Sequence, residues 1–277
     1  MRLVATDLDG TIVRADQTIS ARTVAAFEAC AERGVGVVVV TGRPARWLSP
    51  VVEALGPHGH ALCANGAVVY DLATRRVVDT QTIARADVRT VIDKTRTAIG
   101  DVDVAIETLA GFRREPGYVT RWDALSDQEV GTIDELLADD PGVLKVLVRQ
   151  EGGSGDAMLR AARPVLAGLA SPTHSNVNDC LLEISALGVS KAATLATLVA
   201  SRGWTAADVV AFGDMPNDVE MLRWAGRGYA MSGGHPEALA AADDVAPPCQ
   251  EDGVAQVIEA LLGDRAEAAR PQRPEAW

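Results

Sequence analysis

The chain has 277 residues, 48% of them hydrophobic, and a formal net charge of −12. That is length for one large domain or two modest ones, with enough apolar content for a packed core. The acidic balance argues against a broad nucleic-acid surface, which needs basic residues to neutralise phosphates. No apolar run approaches the ~20 residues that span a bilayer.

Met1-Arg2-Leu3-Val4 runs straight into acidic residues without a signal-peptide pattern, so the expected address is the cytoplasm. Cys30, Cys63, Cys180 and Cys249 are far apart and form no C-x-x-C pair, which predicts free thiols rather than a zinc or disulfide framework. Lysine is scarce: Lys94, Lys145 and Lys191 are the only three.

Leu3 to Asp7 reads as a short apolar strand. Ser20 can cap a helix that ends near Gly34, a plausible glycine just past a helix end. Val35 to Val40 is a buried β-branched strand, and Pro44 is the expected first residue of the next helix. Asn65-Gly66, between two apolar runs from Ala61 to Tyr70, signals a hairpin. In the middle, Ala86 to Gly100 reads as helix, and Val102 to Glu107, Val143 to Arg149 and Cys180 to Ile184 read as strands. Asp156 to Leu169 reads as a helix interrupted by Pro164. The strand-helix rhythm then returns. Ser190 caps a helix to about Arg202, Val209 to Phe212 is a strand, and a helix starts near Pro216. Tyr229 to Met231 is a strand, and Pro236 and Glu251 begin the last two helices.

The expected fold is therefore α/β, a Rossmann-like doubly wound parallel sheet with helices on both faces. Its discontinuous core comprises residues 1–82 and 186–263, a smaller α+β domain is inserted at 83–185, and 264–277 is expected to be a disordered tail rich in Arg, Ala, Glu and Pro.

The strongest chemical signal is Asp7-Leu8-Asp9-Gly10-Thr11 at the end of the first strand. Sites in parallel α/β sheets form beyond the carboxyl ends of strands. Two carboxylates there suit a hard, oxygen-loving cation such as Mg²⁺; one can attack phosphorus while the other moves a proton. An ordinary acidic turn is the plain alternative. Thr41-Gly42-Arg43 follows the next strand, where a hydroxyl and a glycine amide can donate to a phosphate oxygen. Lys191 falls in the first turn of a helix, where the dipole disfavours a cation, so its ammonium is expected to face an anion. Gly213-Asp214-Met215-Pro216-Asn217-Asp218 follows another apolar strand. Acids at a helix N-terminus are favourable anyway, which accounts for Asp218 better than for Asp214.

Together with Ala64-Asn65-Gly66-Ala67, Gly188-Val189-Ser190-Lys191 and Glu251-Asp252-Gly253-Val254-Ala255, these stretches make the chain resemble the haloacid dehalogenase-like hydrolases, and within them the Cof-type sugar phosphatases with a large inserted cap. The resemblance implies an Mg²⁺-dependent phosphatase acting on a small phosphorylated metabolite, with no nucleic acid or membrane partner. It implies Asp7 as the nucleophile that becomes an aspartyl-phosphate, and Asp9 as general acid and base, its backbone carbonyl also a metal ligand. Thr41, Gly42, Lys191 and Asn217 are then phosphate contacts, Asp214 a direct Mg²⁺ ligand, and Asp218 a support of the metal shell. The chain departs from the family at Ser232-Gly233-Gly234, where relatives often carry Gly-Asn-Ala.

Residues 83–185 are expected to close over the leaving group, with Arg43, Arg113, Arg114, Tyr118, Arg121 and Trp122 as substrate candidates; each of those in the insert has a plain alternative in core packing or solvation. A phosphomutase on the same scaffold would use the same acids. A non-catalytic sugar-phosphate sensor would have no need of both Asp7 and Asp9, and no G-x-G-x-x-G follows the first strand to favour a dinucleotide enzyme. Nothing in the sequence specifies an oligomeric state.

Overall fold

The computed structural model describes residues 1–56, 59–120, 128–176 and 179–268. It begins with β1 (Leu3–Thr6), α1 (Ala21–Glu32), β2 (Gly36–Val40), α2 (Ser49–Leu55), β3 (His60–Cys63), β4 (Val68–Asp71) and β5 (Arg76–Thr80). The insert follows, with α3 (Arg85–Ile99), β6 (Asp103–Thr108), β7 (Phe112–Arg114), β8 (Gln128–Val130), α4 (Ile133–Leu136), β9 (Val143–Arg149), α5 (Gly155–Leu166), β10 (Ala170–Thr173) and β11 (Leu181–Ala186). The chain then returns through α6 (Lys191–Ser201), β12 (Val209–Gly213), α7 (Val219–Trp224), β13 (Arg227–Met231), α8 (Pro236–Leu239), β14 (Asp244–Ala246) and α9 (Gly253–Ala268).

Among the described residues the strands form two sheets. One has the order β14-β13-β12-β1-β2-β3-β4-β5, the other β10-β11-β9-β6-β7-β8. The first is parallel from β14 to β3, with β4 and β5 added antiparallel at one edge. Its central strands β12, β1, β2 and β3 are buried on both faces, hence their near-continuous apolar runs. Val4, Val39 and Val210 cluster with Phe27 and Cys30 of α1 and with Ile258 of α9. Leu3, Ala5, Val38 and Ala211 point the other way, onto Leu195 of α6 and Met221 of α7.

The insert's sheet carries its helices on one face only. Ile106, Val146, Val148 and Ile184 cluster with Val88 and Ile92 of α3 and Met158 and Leu159 of α5. The alternate residues, which include Glu107, Lys145, Glu183 and Ser185, lie on the opposite face, as the period of two requires. That face meets the first sheet's carboxyl ends.

Several local expectations shift. Pro44 caps a 3₁₀ turn (Ala45–Trp47) rather than starting a helix. Pro164 lies in the last turn of α5 and does not interrupt it, because the helix has only two residues left to form. The Asn65 hairpin is closed by a 3₁₀ turn over Ala64–Gly66. Strand β14 has only three residues, too few for a pattern. Helix α9 continues through 264–268, the first residues of the expected tail, whereas 269–277 lie outside the described residues. The four cysteines are free thiols, and no helix among the described residues is long and apolar enough to cross a membrane.

Candidate active site

Strand β1 ends at Thr6, and the Asp7 amide still donates to Phe212 O at 3.0 Å, so Asp7 leaves the sheet beside the end of β12. The chain then turns: the amides of Thr11, Ile12 and Val13 all donate to Leu8 O, at 3.2, 2.9 and 2.7 Å. Gly10 makes this turn possible. Its φ is +80°, and a Cβ there would lie 2.4 Å from Asp214 Oδ2, so the position needs both left-handed freedom and no side chain.

Asp7, Asp214 and Asp218 meet across that gap, each with a carboxylate oxygen within 4.8 Å of the others. Lys191, fully buried in the first turn of α6, donates to Asp7 Oδ1 at 2.5 Å and to Asp218 Oδ1 at 2.7 Å. The other Asp218 oxygen accepts the amides of Asp214 and Met215, both at 3.0 Å. Thr11 Oγ1 reaches Asp214 Oδ1 at 3.4 Å. Asp218 therefore has both oxygens engaged and fixes the loop. Asp7 and Asp214 keep oxygens to offer.

The charge balance is the site's main physical feature. Three buried or near-buried carboxylates face one ammonium. Burial raises Asp7 from its ordinary 3.8 to about 7, with Asp218 and Asp9 adding to the rise and Lys191 opposing it. Burial followed by Asp7 and Asp218 pushes Asp214 up to about 9. Burial works against the Lys191 ammonium, but Asp218 and Asp7 outweigh it and hold its pKa above the ordinary value. An all-oxygen site with surplus negative charge fits a hard divalent cation such as Mg²⁺, held by Asp7 and Asp214, with Asp218 behind them.

Those raised values carry a testable sign. Folded-state values above those of the unfolded chain mean that the native state binds more protons from about pH 4 upward. The resulting stabilisation is complete below pH 4 and is lost as pH rises through about 7 for Asp7 and about 9 for Asp214. Without metal, the melting temperature should fall between about pH 5.5 and 8.5, and Mg²⁺ should raise it more at the higher pH, because the deprotonated carboxylates are the binding form. Melting curves with and without Mg²⁺ at both pH values test this; an equal or larger shift at low pH would refute it.

The other expected residues fall in two groups. Thr41 is buried just beyond β2 and accepts the Arg43 amide at 3.0 Å. Asn217 Nδ2 donates to Asn65 Oδ1 at 3.1 Å, and its own Oδ1 is buried without a partner among the described residues. The Asp9 carboxylate does not join the acid cluster. It turns outward, half-exposed, and Arg43 holds it through both Nε (2.8 Å to Oδ2) and Nη2. Any metal contact from Asp9 thus falls to its backbone.

Of the candidates in the insert, Arg113 is spent on Glu129, Asp139 and Leu136 O. Arg114 bonds Gln128 and the carbonyls of Glu115, Pro116 and Tyr118. Tyr118 is buried against Phe112, and burial pushes its phenol up to about 12. Arg113 and Arg114 are thus bonded within the insert, and Tyr118 packs with Phe112, Ala105 and Leu147; Arg121 and Trp122 lie outside the described residues.

The residues that do face the core are different ones. Lys145 donates to Gly42 O at 2.9 Å and to Glu183 at 2.5 Å. Glu183 also accepts from Asn65 Nδ2 at 3.0 Å and Ser175 Oγ at 2.5 Å. Glu107 pairs with Arg46, Nη2 to Oε2 at 2.9 Å. A continuous chain Lys145–Glu183–Asn65–Asn217 thus runs from the insert to the residue before Asp218. One signal was available in the sequence: Lys145 and Glu183 are each a charge within a largely apolar strand, a placement seldom tolerated unless the charge is paired.

Comparison with known proteins agrees with this geometry. The profile described as haloacid dehalogenase-like hydrolase matches residues 4–258. A 5-amino-6-(5-phospho-D-ribitylamino)uracil phosphatase of Bacillus subtilis is 29% identical over 93% of this chain and 94% of its own length. A pyridoxal phosphate phosphatase of Escherichia coli is 26% identical over 94% and 98%. Among solved structures, a haloacid dehalogenase-like hydrolase from Bacteroides thetaiotaomicron superposes with a TM-score of 0.73 at 26% identity, covering 94% of this chain and 99% of that one. A subclass IIB sugar phosphatase shares the fold with a TM-score of 0.78 at 20% identity, covering 94% and 99%. With a profile match along nearly its whole length, the chain belongs to the haloacid dehalogenase-like hydrolases.

Proposed function

We propose that the protein is a Mg²⁺-dependent phosphatase that hydrolyses a small phosphate monoester, a phosphorylated sugar or sugar-like alcohol, through an aspartyl-phosphate on Asp7. The observation that carries this reading is Lys191, buried and shared between Asp7 and Asp218 with Asp214 alongside. That set holds one carboxylate with an oxygen to spare, one fixed cation and a place for another.

Asp7 attacks phosphorus, and the bond to the ester oxygen breaks as Asp9 gives that oxygen a proton. Asp9 then takes a proton from water, which attacks the same phosphorus, so that orthophosphate leaves and Asp7 is restored. For both steps the Asp9 carboxylate must turn from Arg43 towards the phosphoryl group, and for the first it must take up a proton from solvent as it leaves the guanidinium. Bound Mg²⁺ supplies neutralisation of the phosphoryl charge. Lys191 adds a second cation, and Thr41 and the Gly42 amide hold the remaining oxygens. The insert acts as a cap: Glu107, Lys145, Glu183 and Ser175 line the seam bonded to Arg46, Gly42, Asn65 and one another, and a hydroxylated leaving group would take over some of those bonds. The relatives named for ribitylaminouracil and pyridoxal phosphates act on phosphorylated alcohols of that kind.

A panel of phosphate esters, including sugar phosphates, pyridoxal 5′-phosphate and an aryl phosphate, should release orthophosphate only with Mg²⁺. Excess Ca²⁺ should inhibit, because it accepts more ligands and can take both Asp7 oxygens. Full activity after exhaustive chelation would overturn the metal assignment, and a sugar phosphate isomer formed in place of orthophosphate would make the protein a mutase.

A further inference from the structure

A second polar cluster joins the cap to the core away from the acid site. Asp156, in the first turn of α5, accepts from His174 Nε2 through Oδ1 at 2.8 Å and from His235 Nε2 through Oδ2 at 3.4 Å. His174 follows β10 in the cap and is fully buried, its ring against Gly155. His235 belongs to the core, where it caps α8. The same cap helix reaches α8 a second time through Arg163 and Glu237 at 3.5 Å.

Two histidines and a carboxylate invite a transition-metal reading, and their donor atoms do lie within 4.8 Å of one another. The outer nitrogens argue against it. A ligating imidazole nearly always donates its other N–H to an acceptor. His235 Nδ1 instead accepts the Glu237 amide at 3.1 Å, so its proton sits on Nε2, the nitrogen facing Asp156. His174 Nδ1 is buried with no partner among the described residues. Neither ring is set up as a ligand; both are set up as donors to Asp156.

What His235 touches next gives the cluster a purpose. Its backbone amide donates to Asp214 O at 2.6 Å. Gly234 lies so close that a Cβ there would be 2.8 Å from Asp214 O and 3.1 Å from its Cα. The approach leaves no room for a side chain at residue 234. The route from Asp156 to the backbone carbonyl of Asp214 is therefore one side-chain hydrogen bond, one residue and one backbone hydrogen bond.

We propose that Asp156 is a positioning residue: by accepting from His235 it seats the cap on the loop that carries Asp214, so that cap closure and placement of the metal ligand are coupled. This rests on the reading of Asp214 as a Mg²⁺ ligand. Occupied clasp and ordered Asp214 loop then stabilise each other, and the coupling is reciprocal: Mg²⁺ favours the seated cap as much as the seated cap favours Mg²⁺.

The test compares Asp156→Ala, Asp156→Asn and His235→Asn in the full chain. Asparagine at 156 keeps an acceptor oxygen; asparagine at 235 keeps a helix cap but is too short to reach the clasp. Asp156→Ala and His235→Asn should each raise the Mg²⁺ concentration for half-maximal aryl phosphate hydrolysis about tenfold and speed hydrogen exchange of the His235 amide by about as much, whereas Asp156→Asn stays within about twofold of wild type. The double variant Asp156→Ala/His235→Asn should be no worse than either single one. Should Asp156→Ala not fold, His235→Asn decides alone. Unchanged exchange and Mg²⁺ dependence in a folded variant overturn the proposal, as does Asp156→Asn being as impaired as Asp156→Ala. Zn²⁺ alone, raising the melting temperature of wild type but not of Asp156→Ala, would overturn it in favour of a metal site. If wild type needs no Mg²⁺ at all, the exchange measurement still stands by itself, so failure of the coupling and failure of the phosphatase reading are told apart.

Discussion

Asp7→Asn is expected to lower turnover by roughly 10⁴–10⁶-fold, the scale seen when a covalent nucleophile is removed. The amide keeps the shape of the side chain but cannot attack phosphorus. The fold should survive, because Lys191 retains Asp218 at 2.7 Å and Asp218 retains its two amide bonds. Removing one of three crowded acids should also let Asp214 ionise at lower pH, since Asp7 is the largest charged contributor to its rise. Metal-free Asp7→Asn should therefore be at least as stable as wild type above neutral pH. Asp9→Asn should behave differently and leave some phosphorylated Asp7, visible by intact-mass spectrometry, because attack and hydrolysis depend on Asp9 unequally. Near-normal turnover in Asp7→Asn would end the nucleophile assignment.

Lys191→Met should fail in two ways. Loss of a fixed cation against the phosphoryl group is expected to reduce kcat by about 10²–10³-fold, as for other preorganised charge stabilisers. Loss of one partner from a buried ion pair is expected to cost about 3–5 kcal/mol. Lys191 and Asp218 are fully buried, so solvent does not screen that loss. The stability cost should be smaller near pH 5, where Asp7 and Asp214 are already protonated, and larger near pH 8.5. Denaturant titrations at the two pH values, beside steady-state kinetics, separate the effects. A variant with wild-type stability at both pH values would mean that Lys191 does not neutralise the acid cluster.

The parts of this site legible in the sequence are those made by neighbours in the chain. Asp7 and Gly10 share one turn, Ser190 caps the helix that Lys191 opens, and Asp214 and Asp218 bracket another. A strand end, a cap or a tight turn declares itself within a few residues. Asn65 was visible as a hairpin residue but not as a hub, because its partners Glu183 and Asn217 come from distant segments. Lys145 and Glu183 stayed hidden for the same reason: they are strand residues whose meaning depends on which face of the insert's sheet meets the core. Arg113 and Arg114 show the converse. A basic, aromatic stretch reads as a binding surface until its acids and carbonyls are found a strand or a turn away. The fold class was readable because period and punctuation repeat, while the three-residue β14 falls below the length at which a period exists.

The pairing of Lys191 with Asp7 spans 184 residues of chain, with the whole insert between them. It sets a schedule for a nascent chain. At about 5–20 residues per second, the ribosome needs roughly 10–40 s to deliver the lysine after the nucleophile has emerged. Throughout that interval β1 can pair with β2 but still lacks β12, its other neighbour, so the central strand of the sheet presents an open, apolar edge. The insert has its own sheet and core, and it can condense first, leaving the acid cluster uncharged-balanced until the C-terminal third arrives. Parallel pairings of such long range are slow to form. The protein's vulnerable period is thus its synthesis, and truncations that end before β12 should accumulate as aggregates even when the insert within them is intact.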